Sequence, residues 1–193
     1  GCLTTFPGVR VVVPAFADDA AGLLRTCMRS EGMAVFLEPK TLYNSKEAMT
    51  VVPDDFEVPF GKARTRHEGS DLTIITYGNT VHHSLRVAEK LKEEGIEIEV
   101  IDLRSLIPLD TAAIVESIRK THRALVVHED KVFGGFGGEI VAQINELCFE
   151  ELDAPVKRLG STFTPVGFNR ILEAATLPNN EKVEAAVREL LNY

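Results

Sequence analysis

Tryptophan is absent from the 193 residues, and cysteine is scarce. The three cysteines, Cys2, Cys27 and Cys148, are odd in number and form neither a Cys-x-x-Cys pair nor any other metal-type spacing. That excludes a disulfide framework and a thiolate zinc site, and it predicts a reducing, cytoplasmic setting. No apolar run approaches the length of a membrane span and no charged-then-apolar leader opens the chain, so no membrane role is expected. Positive charge is in short supply: 21 Lys and Arg face 29 Asp and Glu, a net charge of −8. A phosphate backbone must be met by clustered cations, so general nucleic-acid binding is excluded, whereas a basic protein partner suits an acidic surface. The Gly-x-Ser-x-Gly elbow, the His-Glu-x-x-His helix and the calcium loop are missing too, which makes a self-contained enzyme hard to assemble.

What the chain does contain is ordinary for a folded protein. Hydrophobic residues make up 45% and charged residues 26%, and the length suits one large domain or two small ones. Gly1-Cys2-Leu3 lacks an initiator Met and runs within a few residues into an expected strand. A fragment or processed chain is therefore expected.

Val9 to Val13, apolar and β-branched apart from Arg10 and stopped by Pro14, has the pattern of a buried parallel strand. Asp18 and Asp19 favour the first turn of a helix that runs through Leu23, Leu24, Cys27 and Met28 until Ser30-Glu31-Gly32 ends it. Ala34 to Leu37, closed by Glu38-Pro39, completes a β-α-β unit. From Asn44 to Ser70 the composition turns to proline, glycine and charge, a linker with a short strand near Gly61 to His67. The domain boundary is placed there, with residues 1–64 in one part and 65–193 in the other. Beyond it, strands are expected at Leu72–Thr76, Ile96–Ile101, Ala124–Val127 and Val156–Leu159. Helices are expected at Thr80–Glu93, Asp110–Lys120, Glu139–Leu152 and Glu181–Leu191. Strands alternating with helices predict an α/β fold, a mostly parallel sheet with right-handed crossovers and flanking helices.

Few residues in this frame suggest chemistry. "HEDKVFGGFGGEI", residues 128–140, has the glycines of a phosphate cradle, but no third fingerprint glycine and no Gly-Lys-Ser/Thr. Glu129, Asp130 and Glu139 would also surround an incoming phosphate, so a tight turn and close helix–sheet packing is the expectation. His82 and His83 point about 100° apart on a helix and cannot easily ligate one metal, which favours surface or interface histidines. His128 ends a strand where open α/β sheets place ligand sites, yet lacks a partner nucleophile. Lys40 and Tyr43 could reach a cofactor or subunit interface, although a solvated lysine is the plainer reading. Cys27 is expected in the core.

Taken in order, "FPGVRVVVPAFADDAAGLL", "FLEPKTLY", "EGSDLTIITYGNTVH", "VIDLRSLIPLD", "VVHEDKVFGGFGGEI" and "LDAPVKRLG" resemble the second half of the beta subunit of 2-oxo acid dehydrogenases. The resemblance covers essentially the whole chain and is highly specific. It implies that residues 1 to about 60 are the tail of a thiamine-pyrimidine-binding domain and that the rest is a transketolase C-terminal-type domain. In that family the glycine loop serves backbone packing and subunit contact, and is not the diphosphate site. "EPKTLY" and "SLIPLD" are more similar to the branched-chain (2-oxoisovalerate) members than to the pyruvate members. A pyruvate or acetoin dehydrogenase beta subunit is the alternative, and an autonomous non-catalytic binding domain is another.

The resemblance also implies what this chain lacks. The family's catalytic His, in a His-x-Gln-Ser-like segment, would precede Gly1, and the Glu that activates thiamine diphosphate lies further upstream. The diphosphate and magnesium belong to the alpha subunit or alpha portion. No catalytic, cofactor-binding or metal-binding residue is therefore carried over, and the isolated chain is expected to be inactive. A structural potassium site of some branched-chain relatives would fall at Cys27 to Gly32. Ser30 and Gly32 stand there in place of Asp and Asn, so no ion is expected. The implied parent performs thiamine-diphosphate-dependent oxidative decarboxylation and reductive acylation of a lipoyl group. The implied role of this part is scaffold, association with a second beta subunit, and docking to the acyltransferase component through Asp153 and the carboxylate of Tyr193.

Overall fold

The computed structural model describes residues 1–193. In chain order its elements are β1 (Val9–Val12), α1 (Ala17–Arg29), β2 (Met33–Phe36), β3 (Arg64–His67), β4 (Leu72–Thr76), α2 (Asn79–Lys92) and β5 (Ile98–Asp102). These are followed by β6 (Ser105–Ile107), α3 (Thr111–Thr121), β7 (Ala124–Lys131), α4 (Gly137–Cys148), β8 (Lys157–Ser161), α5 (Arg170–Thr176) and α6 (Asn180–Leu191).

Two sheets result. The larger has the order β3-β5-β4-β7-β8 and is parallel except for β3, which runs antiparallel along the edge of β5. The smaller has the order β2-β1-β6, with β1 and β2 parallel, as a β-α-β unit requires. Its third strand was not legible in the sequence. β6 comes from beyond the expected boundary and pairs antiparallel with β1, Val11 opposite Ile107 and Val12 opposite Ser105. Three residues ending at Ile107, just before Pro108, are too short to show a period.

Side chains alternate across the large sheet and divide its core in two. Ile75, Ile101 and Val126 face α3 and α4 through Ile114, Ile118, Ile140 and Ile144, and Val11 and Val13 of the small sheet join that cluster. Ile74, Val100 and Leu125 face α2 and α6 through Val87, Leu91, Val183 and Val187. Each such side chain contributes about 1.5–3 kcal/mol on burial. A polar seam crosses the first layer, where Thr73 Oγ1 lies 2.6 Å from both Ser117 Oγ and Thr121 Oγ1.

Several element ends differ from expectation for local reasons. β7 continues through His128, Glu129 and Asp130 to Lys131 because Lys131 pairs again with Ser161 after an irregularity. α4 stops at Cys148 and gives way to a 3-10 turn over Phe149–Glu151 instead of reaching Leu152. α5 was missed because seven residues, six of them outside the buried core, carry no apolar face that the core requires. The Asp110 carboxylate accepts from Ala113 N at 3.3 Å and so caps α3.

Candidate functional site

The chain leaves β4 toward β5 on one side and later returns to place β7 on the other, so the strand order reverses between β4 and β7. The carboxyl ends of such strands open a crevice where ligands bind in open α/β sheets. Here Tyr77 and Gly78 follow β4, and Gly78 has φ 61, which an L side chain rarely adopts. A side-chain carbon there would also lie 3.1 Å from Val13. α2 then starts at Asn79, whose Nδ2 donates to Glu129 Oε1 at 3.0 Å and ties the two strand ends together.

His128 occupies the centre of this end. Its side chain is fully buried, and neither ring nitrogen has a hydrogen-bond partner. Burial pushes its pKa down to about 4, against the opposing attraction of Asp130, so the imidazole is neutral at pH 7. The Tyr77 ring lies parallel to it, 6.2 Å away at 8°. Burial also raises the Tyr77 hydroxyl above its ordinary range, with Asp130 and Glu129 adding to the effect.

The glycines of the loop make room for this ring. A side-chain carbon on Gly137 would overlap His128 Nε2, one on Gly160 would lie 2.9 Å from His128 Cε1, and one on Gly135 would overlap the Lys131 carbonyl. The space a phosphate cradle would offer is filled by imidazole and backbone. Beside it, a cavity of about 480 Å³ lies between the two sheets, with Val13, Tyr77 and Phe136 among its walls. Its charged side chains are the carboxylates of Glu38, Glu129 and Asp130, the last paired with the Gly1 amino group.

The other residues singled out in the sequence lie apart from one another. His82 is buried where α2 meets the small sheet, with Nε2 2.8 Å from the Ala15 carbonyl, and burial lowers its pKa. His83 Nδ1 sits 2.6 Å from Asn180 Oδ1. The two rings thus serve different neighbours. Lys40 is exposed, and the Tyr43 hydroxyl donates to Glu38. Cys27 is half-buried beside Val12 and Leu23 rather than in the core, because α1 turns Leu24 and Met28 to the surface next to it. The Cys27 carbonyl accepts from both the Ser30 hydroxyl, at 2.9 Å, and the Ser30 N–H, at 3.4 Å.

Asp153 follows the 3-10 turn after α4 and is more than half exposed, its carboxylate 3.8 Å from Arg123. Its backbone N–H donates to His122 O at 2.9 Å. Tyr193, 70% exposed, follows α6. Lys157 of β8 pairs with Glu189 of α6, so the two regions are linked, but no hydrogen bond or ion pair joins Asp153 to Tyr193.

Two features were not singled out in the sequence. A buried charge cluster joins α1 to the large sheet: Asp19 accepts from Arg104 at 2.8 Å and from Arg66, and Arg66 Nη2 also reaches Asp102 at 2.8 Å. The face of Phe16 lies 3.9 Å from the Arg66 guanidinium carbon. The second feature is an apolar surface after β8, where Phe163, Val166, Phe168, Ile171 and Leu172 are all at least half exposed and Phe133 packs edge-on to Phe163 at 4.9 Å.

Known proteins resemble the chain along nearly its whole length. Residues 61–183 match the family described as transketolase, C-terminal domain. The chain is 42% identical over 188 residues to 2-oxoisovalerate dehydrogenase subunit beta of Bacillus subtilis, covering 97% of this chain and 57% of that protein. It is 42% identical to the mitochondrial pyruvate dehydrogenase E1 component subunit beta of Caenorhabditis elegans, covering 96% and 54%. A further relative at 40% identity is the acetoin:2,6-dichlorophenolindophenol oxidoreductase subunit beta of Bacillus subtilis, with 99% and 55% covered. The chain thus spans a little over half the length of these curated relatives. Among solved structures, "Split gene transketolase, inactive beta4 tetramer" superposes with a TM-score of 0.77 at 27% identity, over 98% of this chain and 59% of that one.

Proposed function

The chain belongs to the transketolase C-terminal domain family, and from that premise we infer that it is the C-terminal part of the beta subunit of a thiamine-diphosphate-dependent 2-oxo acid dehydrogenase. One observation carries this reading: relatives named as such beta subunits match at about 40% identity from end to end of the chain, whatever their substrate. Branched-chain 2-oxo acids are the proposed substrates. Overall identity to the branched-chain and pyruvate relatives is equal at 42%, so the choice rests on "EPKTLY" and "SLIPLD". Pyruvate and acetoin are the alternatives.

The residues present do not fit thiamine diphosphate with its magnesium. The cavity at the strand ends is lined by Glu38, Glu129 and Asp130, which repel a diphosphate, and the glycine loop is filled by His128. No group of three carboxylate, His or Cys side chains is arranged to hold a metal. No chemical step is therefore assigned to this chain.

Its proposed work is structural. The large sheet forms a rigid platform, and the buried Asp19–Arg104 pair fastens the β-α-β unit to it. Association with a second beta subunit and with an alpha subunit or portion would cover apolar surface such as Phe163, Phe168 and Ile171, which is costly to leave in water. Docking to a basic domain of the acyltransferase component is assigned to Asp153 and the Tyr193 carboxylate, and a cytoplasmic setting is proposed from the three free cysteines. The reading frame of the parent gene tests the assignment. A His-x-Gln-Ser segment shortly upstream of Gly1 is expected, and a start codon beside Gly1 would favour an autonomous binding domain.

A further inference from the structure

The carboxyl ends of β1 and β2 flank a second, open hollow of about 300 Å³ that shares Glu38 and Pro39 with the first. Small residues create it: Ala17 and Ala20 of α1 and Ala48 opposite leave the space that larger side chains would fill. Pro14 and Pro39, each with φ fixed by its ring, terminate the two strands and hold the walls apart. Phe16 and Met49 complete an apolar lining.

Glu38 and Tyr43 are the polar side chains of the lining. The Tyr43 hydroxyl donates to the Glu38 carboxylate, while His82 and Arg86 pair with Glu47 instead. The neighbouring acids are already satisfied, Asp18 by Arg64 and Asp19 by Arg66 and Arg104. Glu38 therefore presents an exposed carboxylate on the rim of an apolar hollow, with an acceptor geometry partly fixed by Tyr43. A concave apolar site with few convergent polar groups is the usual form of a small-molecule pocket.

We propose that this cavity binds a small ligand with a compact apolar tail and a protonated amino group, the tail among Ala17, Ala20 and Met49 and the ammonium on Glu38. A water molecule's share of liquid volume is about 30 Å³, so the hollow has room for a branched tail of four to six carbons. The site lies wholly within residues 14–49 and is argued without the dehydrogenase reading, although Glu38 and Pro39 also line the first cavity.

The test titrates the whole chain, labelled with 15N, with 3-methylbutylamine and separately with 3-methylbutanoate, which share a tail and differ in charge. The amine is expected to shift the Ala17, Ala20 and Ala48 amides with a dissociation constant on the order of 1 mM, and the acid to leave them in place. Glu38→Gln, on the exposed rim, should weaken amine binding about ten-fold, and Ala20→Leu should abolish it by filling the hollow. If Ala20→Leu lowers the thermal midpoint of the chain, Glu38→Gln alone decides. Equal shifts from acid and amine, amine binding unaffected by Glu38→Gln, or no shift from either probe would each overturn the proposal.

Discussion

Gly137 and His128 occupy one space: a side-chain carbon on the first residue of α4 would overlap the Nε2 of a fully buried imidazole. Gly137→Ala is therefore expected to destabilise the fold by about 1–3 kcal/mol, the usual cost of overpacking a well-filled core. Urea denaturation measures it. Combined with His128→Ala, which vacates the space, Gly137→Ala should cost much less than it does alone. Additive losses would show that the two positions do not meet.

His128 also makes stability depend on pH. Burial lowers its folded pKa from 6.5 to about 4, so between those values the unfolded chain binds a proton that the folded chain does not. This contribution is whole above pH 6.5 and is lost as pH falls toward 4, on the order of 3 kcal/mol at about 1.4 kcal/mol per unit. Asp102 works the opposite way, because burial raises its pKa from 3.8 to about 6 and favours the folded state as pH falls through that range. The informative quantity is thus the difference between wild type and His128→Gln. Relative to the variant, the wild type should lose stability from pH 6.5 to 4, and parallel curves would refute the assignment.

Asp19 is fully buried and accepts from two arginines. Asp19→Ala leaves Arg66 and Arg104 with less compensation inside the protein, and removing one member of a buried pair costs about 3–5 kcal/mol. The control is Asp153→Ala, an exposed site expected to fall within about 0.5 kcal/mol of wild type. Equal effects in chemical denaturation would remove the charge cluster from the account.

The same cluster bears on a truncation. A chain starting at residue 61 keeps every strand of the large sheet and is expected to unfold cooperatively. It loses Val11 and Val13 from the core and the partner of Arg104, so its thermal midpoint should fall below that of the whole chain. A broad, non-cooperative transition would count against a domain boundary near residue 64.

These sites show what the sequence carried and what it could not. β4 and α2 were legible from period and punctuation, Leu72–Thr76 in a run of five and the helix ended near Gly95, because each depends on neighbours a few residues away. What stayed hidden depends on residues distant in the chain. His128 is caged by Gly135 and Gly137 on one side and by Gly160 of another strand. Asp18 and Asp19 read as ordinary first-turn acids until Arg64 is brought to the first and Arg104 to the second across the fold. Glu129 and Asp130 read as loop because charged residues interrupt an apolar run, although the strand continues through them.

For the proposed docking of Asp153 and Tyr193, the peripheral subunit-binding domain of the acyltransferase component can be titrated against wild type, Asp153→Ala and a chain lacking Tyr193. Both positions are exposed, so their charges should act mainly on association rate and weaken with salt. Unchanged binding in both variants would take these residues out of the interface.

The most direct test of the central assignment is a chimera in which this chain replaces the matching C-terminal part of the Bacillus subtilis 2-oxoisovalerate dehydrogenase beta subunit. Assembled with that enzyme's alpha subunit and the remaining components of its complex, it is assayed for NADH formation from 3-methyl-2-oxobutanoate. The account predicts an assembled complex that turns over this substrate, while the isolated chain does not. A chimera that folds but neither assembles nor turns over 3-methyl-2-oxobutanoate, pyruvate or acetoin would contradict it.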